Sequence, residues 1–328
     1  MGLPERTRGY LAIILAAVLF GIWPTLSKLV LNAVSPLAIA FLIQVIPGAA
    51  LLPFVRRVRI SRADWKLIVL SGVVGAVLGP LIYFYGLERT TASNSVLLSN
   101  SESLFTMLFA YAFLRERATR REYLALGGIA VGAFLVTTQL RFGDVRFLEF
   151  LVGNIMLVTA AACWGSSNTM STVLLRRIPI VSLLEIQLLI GAAVFGGIVV
   201  VTATPLAVPL SILPVLILLS LSAVGVFSVL FFYAFRTLGA MRTGAVLPSS
   251  ALWGILLALY VFPTETLSPV QILGGVLMVG SLIAFYVLRG PGEASTGGET
   301  LKPAASDGPD SPGHRRLRTI RRSLVSHS

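Results

Sequence analysis

A polar stripe runs along an otherwise apolar segment, residues 93–114, and a carboxylate lies near its middle. The stripe consists of residues at the i, i+4, i+7 and i+11 positions: Ser95, Ser99, Glu102 and Thr106. A continuous helix would place all of them on one face. A carboxylate in such a setting can bind a cation, a substrate amine or a coupling proton. The alternative is that serine, asparagine and backbone partners hold Glu102 as part of helix packing.

Other polar or aromatic side chains in apolar segments are candidates for the same binding or coupling site. They are Trp23, Gln44, Asn168, Gln187, Ser249 and Ser250. Gln44 and Gln187 occupy matching places in the two halves of the chain and are uncharged, so a helix bundle can accommodate both. Ser249 and Ser250 follow Pro248, which frees a backbone carbonyl one turn earlier and can kink a helix towards a cavity.

The elements that must position these residues are indicated by the composition. Hydrophobic residues make up 56% of the 328 and charged residues 12%, with a mean hydropathy of +0.88. A soluble domain has about 45–50% apolar and about 25% charged residues. The sequence therefore predicts an integral membrane protein, with the lipid bilayer as a partner. The net charge of +12 reports topology in such a protein and does not favour nucleic-acid binding.

Cysteine and histidine usage excludes several kinds of site. The chain has one cysteine, Cys163, and its two histidines, His314 and His327, lie in the polar C-terminal tail. One cysteine cannot form a disulfide framework or a Cys metal cluster. The apolar region also lacks histidine, which is the usual side chain for proton transfer and metal binding. We therefore expect no metal and no cofactor.

The fold class predicted is an all-α integral membrane protein with ten transmembrane helices. A helix that crosses a hydrocarbon core of roughly 30 Å needs about 17–25 predominantly apolar residues. Ten segments meet that length: 10–31, 36–55, 66–87, 93–114, 121–139, 150–173, 180–201, 211–235, 243–262 and 268–288. The first is too long for the apolar core of a cleaved signal peptide and is interpreted as a retained signal anchor.

Lysine and arginine positions predict the orientation. If the N-terminus is cytoplasmic, most of them fall on the cytoplasmic side. These are Arg6, Arg8, Arg56, Arg57, Arg59, Arg62, Lys66, Arg115, Arg117, Arg120, Arg121, Arg176, Arg177, Arg236, Arg242 and Arg289. The other side keeps Arg89, Arg141 and Arg146. The prediction is a multi-pass protein of the plasma or inner membrane with both termini cytoplasmic.

Domain organisation follows from the same pattern. Residues 1–9 form a cytoplasmic N-terminus, 10–139 a first five-helix repeat, 150–288 a second, and 289–328 a disordered basic cytoplasmic tail. The last third of the tail, HRRLRTIRRSLVSHS, is either a solvated charge run that reinforces topology or an electrostatic contact with anionic lipid.

The two halves show weak self-similarity in sequence order. The matching pairs are Phe20-Gly21 with Trp164-Gly165, Pro36 with Pro179, Gln44 with Gln187, Tyr85 with Tyr233, Glu116 with Glu265, and Leu126-Gly127-Gly128 with Leu273-Gly274-Gly275. Five spans per half is an odd number, so the second copy enters the membrane from the opposite side. This predicts an inverted-topology repeat, which is typical of alternating-access transporters.

Ten spans in two five-helix halves resemble the drug/metabolite transporter superfamily in its EamA-like branch. In that family the fourth helix contains small residues and a Glu, followed by an apolar run that ends in a second Glu. The fourth predicted helix resembles this pattern: the first Glu is Glu102, within Leu97 to Phe105, and the second is Glu116, in Leu114-Arg115-Glu116. The ninth helix departs from the pattern, because the same spacing counted back from Glu265 reaches Ala251. The family's Pro after the Glu is also replaced, by Ser103 and by Leu252. The resemblance implies a cavity lined by the first four helices of each half, with the fifth and tenth packed outside it.

Three function hypotheses remain open from the sequence. The first is a secondary transporter, an exporter of small metabolites or amphipathic compounds, that is proton-coupled or an exchanger and is not an enzyme. No Gly-x-x-x-x-Gly-Lys-[Ser/Thr] phosphate loop is present, which disfavours ATP-driven transport within this chain. The alternative is a polytopic enzyme acting on lipid-type substrates, or a non-transporting scaffold.

Several single residues carry paired interpretations. Trp23 either stacks on a flat substrate or anchors at the membrane interface. Lys28 either snorkels to the outer headgroups or is a counter-ion to Glu102 or an anionic substrate. Glu185 is interpreted as an interfacial ion pair with Arg176 or Arg177. The Gly128-x-x-x-Gly132 stripe packs within the subunit or supports a homodimer.

Overall fold

Apolar helices account for the described part of the chain in the computed structural model, which describes residues 4–56, 58–114, 120–140 and 145–288. Within those residues no strand is present. In chain order the helices are α1 (Glu5–Leu31), α2 (Pro36–Leu51), α3 (Arg62–Glu88), α4 (Ala92–Ser99), α5 (Ser101–Leu114), α6 (Arg120–Thr138), α7 (Val145–Leu174), α8 (Ile180–Val201), α9 (Leu213–Leu238), α10 (Ala240–Val246), α11 (Ser250–Val261) and α12 (Pro269–Leu288).

Seven helical segments in the described ranges are long and apolar enough to cross a membrane. They are Glu5–Leu31, Pro36–Phe54, Arg62–Glu88, Ala92–Phe113, Phe150–Leu174, Ile180–Val201 and Leu213–Leu238. The other three predicted segments are also helical, but their apolar stretches are shorter: Gly127–Val136, Ser250–Val261 and Pro269–Ser281. The protein is therefore an all-helical, multi-pass membrane protein over its described residues.

Several helix starts follow from local capping chemistry. Ser35 precedes Pro36 at the start of α2, and its hydroxyl accepts a hydrogen bond from the backbone N–H of Ala38. Thr91 accepts one in the same way from Asn94 at the start of α4, with a distance of 3.1 Å. Such caps satisfy N–H groups that have no partner within the helix.

Within the described ranges, several predicted spans depart from a regular α-helix. The stretches Val73–Leu78 in α3 and Leu219–Val226 in α9 are π-helical. The segment predicted as one helix over 93–114 is interrupted at Asn100, between α4 and α5. The segment predicted over 243–262 is interrupted by the 3-10 turn Leu247–Ser249, between α10 and α11.

Helices of the first half pack chiefly on helices of the second half. The pairs with the most extensive packing are α1 with α9 and α11, α7 with α3 and α5, α2 with α8, and α6 with α12. Glycine permits two of these crossings. A Cβ on Gly21 would lie 2.6 Å from the carbonyl oxygen of Ser250, and one on Gly165 would lie 2.7 Å from the backbone nitrogen of Thr106.

The Gly128 and Gly132 stripe of α6 is occupied within the chain. Gly128 faces Ser281, and Gly132 faces Gly274 and Met278, all on α12. Close backbone approach of this kind is what small residues permit in membrane helices. The subunit itself therefore uses the face that could otherwise support a homodimer.

One carboxylate joins the halves at a helix start. Glu265, in the loop between α11 and α12, accepts hydrogen bonds of 2.9 Å from the backbone N–H groups of Ala92 and Ser93. A carboxylate at a helix N-terminus satisfies free N–H groups and complements the helix dipole. Its predicted counterpart, Glu116, lies outside the described residues, as do Arg57, Arg115, Arg117, Arg141 and the tail 289–328.

Candidate functional site

A cavity of about 130 Å³ lies between the two halves of the bundle. Its described lining residues come from α1, α2, α3, α5, α7, α8 and α9. None of them belongs to α6 or α12, nor, contrary to the lining that the family resemblance implies, to the ninth predicted span, which comprises α10 and α11. The lining residues include Phe20, Trp23, Gln44, Gly75, Ala76, Glu102, Trp164, Asn168, Leu184, Gln187, Leu188, Phe227, Ser228 and Phe231. A cavity of about 150 Å³ in another protein holds a guest the size of benzene, so the space suits a small organic group.

Glu102 is the carboxylate of this cavity. It is 4% exposed and lies in the first turn of α5, directly after the interruption at Asn100. The Nδ2 of Asn168, on α7, donates a hydrogen bond of 2.6 Å to its Oε1. No hydrogen bond reaches Oε2 from a described residue. One oxygen is thus held by the opposite half of the protein, and the other is free to meet a ligand.

The start of α5 adds to the electrostatics of this carboxylate. Because α5 begins inside the bundle, its N-terminal N–H groups carry partial positive charge close to Glu102. Interrupted membrane helices place such termini at substrate sites in many transporters. The interruption itself has a local cause. The Asn100 side chain donates a 2.7 Å hydrogen bond to the carbonyl of Val96, a competing partner for the helical backbone.

Two glutamine amides line the cavity, Gln44 from α2 and Gln187 from α8. Gln44 Nε2 donates 2.7 Å to the carbonyl of Ala76. Gln187 Nε2 donates a hydrogen bond of 2.9 Å to the Ser71 hydroxyl and one of 3.0 Å to the Ser171 hydroxyl. Both side chains are anchored through their NH₂ groups, which fixes where the amides stand in the wall.

The π-helical segment of α3 explains one of these anchors. Two backbone carbonyls within Val73–Leu78 accept hydrogen bonds from cavity side chains. The carbonyl of Gly75 accepts one of 3.0 Å from Trp164 Nε1, and the carbonyl of Ala76 accepts one from Gln44 Nε2. A π-bulge leaves carbonyl groups available for partners outside the helix, and it occurs frequently at functional sites. The irregular backbone is therefore part of how the wall is built.

Aromatic rings form the apolar part of the wall. Trp23 and Trp164 line the cavity with ring centroids 6.4 Å apart, and Tyr83, which is not a lining residue, packs against both at 5.4 and 5.2 Å. On another side, Phe20 stacks on Phe227 at 5.2 Å, and Phe227 on Phe231 at 5.0 Å. Aromatic faces attract organic cations and pack flat apolar groups. Together with Glu102 they suit a ligand that has both an apolar body and a positive group.

The structure brings together half of the predicted site residues. Trp23, Gln44, Glu102, Asn168 and Gln187 all line the cavity. Ser95, Ser99, Thr106, Ser249 and Ser250 do not. The interruption at Asn100 is the reason for part of this difference, because the stripe predicted for one continuous helix is split between two.

The five predicted residues outside the cavity wall take part in helix contacts or remain buried. Ser95 Oγ donates 3.0 Å to the hydroxyl of Tyr83. Ser250 Oγ donates 3.3 Å to Oδ1 of Asn100. Ser249 is half-buried, while Ser99 and Thr106 are buried with hydroxyls that no described residue engages.

Two single-residue interpretations need correction. Lys28 is not a counter-ion to Glu102: its Nζ donates hydrogen bonds of 2.8 Å to the carbonyls of Leu87 and Thr90, near the C-terminal end of α3. Glu185 makes no ion pair with the preceding arginines, since Arg177 pairs with Asp64 at 3.3 Å. Glu185 is instead buried between helices.

Sequence reasoning missed most of the aromatic wall. Trp164 and the phenylalanines Phe20, Phe227 and Phe231 were not among the candidates. One signal was available: Phe227, Phe231 and Phe235 recur every four residues in α9, which predicts a single aromatic face. An all-apolar helix gives no indication of whether such a face meets lipid, another helix or a cavity.

The EamA-like transporter family matches this chain twice, over residues 7–138 and 151–287. An uncharacterized transporter of Methanothermobacter thermautotrophicus is 28% identical over 300 residues, which is 86% of this chain and 87% of the relative. The uncharacterized transporter YyaM of Bacillus subtilis is 22% identical over 227 residues, or 68% of this chain and 74% of that protein.

A solved crystal structure of a protein has a similar fold. The TM-score is 0.63 at 20% sequence identity, and the match covers 87% of this chain and 96% of the other. At that identity the likeness concerns the arrangement of the helices alone.

Proposed function

The chain belongs to the EamA-like transporter family, and we propose that it exports small amphipathic metabolites by alternating access. As a member of that family it is a multi-pass membrane transporter. The export direction, the substrate class and the mechanism are the proposal. The observation that carries it is Glu102: a buried carboxylate with one oxygen held by Asn168 lines an aromatic cavity between the two halves.

We propose ten spans arranged as two inverted five-helix repeats, residues 10–139 and 150–288. The double match to one family supports this, because each match covers one half. So does the placement of irregular backbone: the third and eighth predicted spans both contain a π-helical segment, and the fourth and ninth are both interrupted. The packing between the halves is also reciprocal. The first helix of the first half, α1, packs on α9 and α11 of the second half, and the first helix of the second half, α7, packs on the equivalent helices α3 and α5 of the first.

In this arrangement both termini are cytoplasmic and the protein spans the plasma or inner membrane. The distribution of lysine and arginine supports the orientation. An inverted repeat supports alternating access, because exchanging the conformations of two similar halves turns an inward-open state into an outward-open one.

The proposed substrate is a small amphipathic compound with an amine or similar cationic group. The cationic group would pair with the Glu102 carboxylate, and the apolar body would lie against Trp23, Trp164 and Phe227. Drug-sized ligands occupy pockets of about 300–1,000 Å³, more than the present cavity of about 130 Å³ provides. A small metabolite fits this account better than a bulky drug.

Glu102 can also couple transport. A carboxylate that binds either a proton or a cationic substrate, but not both, exchanges one for the other across the membrane. The same chemistry allows exchange of one cationic compound for another. Either form is secondary transport, driven by the gradient of the proton or of the exchanged compound.

The test is flux into proteoliposomes that contain the purified protein. Amino acids, amines, nucleobases and sugars are screened with the wild-type protein, and each active compound is tested again with Glu102→Gln. Glu88→Gln is the matched control, since the Glu88 side chain is 51% exposed and outside the cavity. We expect Glu102→Gln to lower flux of cationic compounds by at least about tenfold, the effect of losing roughly 1.4 kcal/mol.

Undiminished flux in Glu102→Gln at every pH would contradict the role given to this carboxylate. A wild-type protein that moves no compound of any class, and turns over lipid instead, would favour the membrane-enzyme alternative.

A further inference from the structure

A second buried carboxylate lies outside the cavity wall. Glu185 is on α8, less than two turns from its start at Ile180, and is 2% exposed. Both of its carboxylate oxygens are buried, and neither has a hydrogen-bond partner among the residues that the structure describes. A carboxylate within an apolar segment costs about 2.5–3.5 kcal/mol on insertion scales, so one without partners requires an explanation.

Its position is beside the cavity, in the groove between α2 and α8. On α8, Leu184 and Leu188 flank it in sequence and line the cavity. On α2, Gly48 faces it, and a Cβ at that position would lie 3.7 Å from Oε1 of Glu185. Gln44, one helical turn before Gly48, is again a cavity residue. Cavity-lining residues therefore adjoin this carboxylate on α8 and lie one helical turn from its contact on α2.

No charge compensates Glu185 within the described ranges. The helix that faces it, α2, contains no ionisable residue, and neither does the turn Leu52–Phe54 that follows it. Ionisable side chains of the other elements packed near α8 are Arg56, Arg62, Asp64, Lys66, Tyr83, Tyr85, Glu88, Arg176, Arg177, Tyr233 and Arg236. Of these, Asp64 pairs with Arg177, and Arg236 lies over the Tyr233 ring.

A proton is the ligand that these surroundings suit. Metal cations such as Ca²⁺ take about 6–8 oxygen ligands, and the described residues around Glu185 present no second carboxylate. A large organic cation would not fit where a single Cβ at Gly48 would already be in van der Waals contact. A proton needs neither room nor further ligands, and it removes the uncompensated charge.

We propose that Glu185 is a second proton-binding site of the transport cycle, at the cytoplasmic end of the α2–α8 groove. This inference rests on the proposed transporter function and topology. In the step proposed, a hydronium ion of the cytoplasmic water gives its proton to the Glu185 carboxylate, which becomes a neutral carboxylic acid and leaves a water molecule. The reverse step returns the proton. Each half of the protein then supplies one protonatable carboxylate, Glu102 from the first and Glu185 from the second.

Carbodiimide labelling tests for the protonated acid without any substrate. Dicyclohexylcarbodiimide partitions into membranes and reacts with protonated carboxyl groups in apolar surroundings. The purified full-length protein in vesicles is treated at neutral pH, digested and mapped by mass spectrometry. We expect an adduct on the peptide that contains Glu185, loss of that adduct in Glu185→Gln, and no adduct at the exposed Glu88. An unmodified Glu185 would overturn the proposal, and so would an adduct suppressed by Na⁺ at constant pH.

Proton movement then separates a transport role from a structural one. Vesicles loaded with the pH dye pyranine report protons that accompany flux of a compound selected by the flux screen. We expect Glu185→Gln to lower proton-coupled flux by at least about tenfold more than it lowers exchange of that compound for itself. Equal losses in both assays would show a structural role and overturn the inference. Absence of any wild-type flux would contradict the transporter proposal instead. The labelling result would still show whether Glu185 binds a proton, because that experiment needs no substrate.

Discussion

The interrupted segments α4–α5 and α10–α11 are built alike and differ in chemistry. Each breaks near its middle, the first at Asn100 and the second at the turn Leu247–Ser249. The two breaks meet, because Ser250 Oγ donates to the Asn100 side chain. Each segment also crosses a helix of the other half at a glycine, Gly165 for α5 and Gly21 for α11.

The difference lies in one pair of positions. Glu102 on α5 lines the cavity, whereas the position at the matching distance before Glu265 is Ala251 on α11. Ala251 is 1% exposed and packs in an apolar cluster with Ala92, Val96 and Ala258. The backbone of the two segments is thus similar, while the charge belongs to one of them. Two segments of similar backbone can therefore carry the binding carboxylate in one half only.

Placing a carboxylate in the second segment should give the largest effect on stability. We expect Ala251→Glu to lower the free energy of unfolding by about 2.5–3.5 kcal/mol, because the charge would enter an apolar cluster with no partner. The measurement is thermal unfolding in detergent, with Ala251→Gln as the control of similar size. Equal stability of Ala251→Glu and wild type would show that the two segments tolerate charge alike.

The shared crossings should respond alike in both halves. We expect Gly165→Ala and Gly21→Ala each to cost about 1–3 kcal/mol, because an added methyl meets backbone atoms that cannot move aside. Gly197→Ala is the matched control, since a Cβ there has no neighbour within 4 Å. Loss of stability in one crossing variant alone would mean that the halves are packed differently, contrary to the comparison.

The Asn168 amide should matter for transport more than for folding. Asn168→Ala removes the donor to Glu102, and we expect about three- to tenfold weaker flux, in line with roughly 1 kcal/mol for one such hydrogen bond. The flux assay includes Thr159→Ala, an exposed change on the same helix whose hydroxyl bonds only its own backbone. Wild-type flux in Asn168→Ala would mean that Glu102 does not depend on this partner.

The contact between the two breaks should give the smallest effect. Ser250→Ala removes a 3.3 Å hydrogen bond to Asn100, and we expect a loss of about 0.6 kcal/mol, the average for polar contacts between membrane helices. Unfolding of Ser250→Ala is compared with Ser222→Ala, whose hydroxyl bonds its own helix. A loss several times larger would make the meeting of the breaks a principal support of the fold.

Apolar length and composition allowed the helical membrane fold to be predicted. Helix positions agree to within a few residues, because the apolar stretches are long and end at charged or capping residues such as Ser35 and Thr91. Glu102 was predictable as a site candidate, since a carboxylate in an apolar segment stands out. Gln44 and Gln187 could be paired through the repeat.

What failed depended on tertiary contacts that a linear pattern does not contain. The pattern of residues 93–114 predicts one continuous helix, yet the Asn100 side chain donates to the carbonyl of Val96 and the helix is interrupted there. Sequence distance predicts an ion pair of Glu185 with the nearby arginines, whereas Arg177 pairs with Asp64 on a different helix and Glu185 has no described partner. The aromatic wall was missed because apolar residues facing lipid and facing a cavity look the same in sequence.

Access to the cavity from both sides of the membrane tests the central claim most directly. Ser228 lines the cavity, so Ser228→Cys in a Cys163→Ser background reports its exposure. A membrane-impermeant maleimide is applied to inside-out and to right-side-out vesicles. The account predicts labelling from either side, and protection from both by a compound that the flux screen selects. Labelling from one side alone under every condition would contradict alternating access through this cavity.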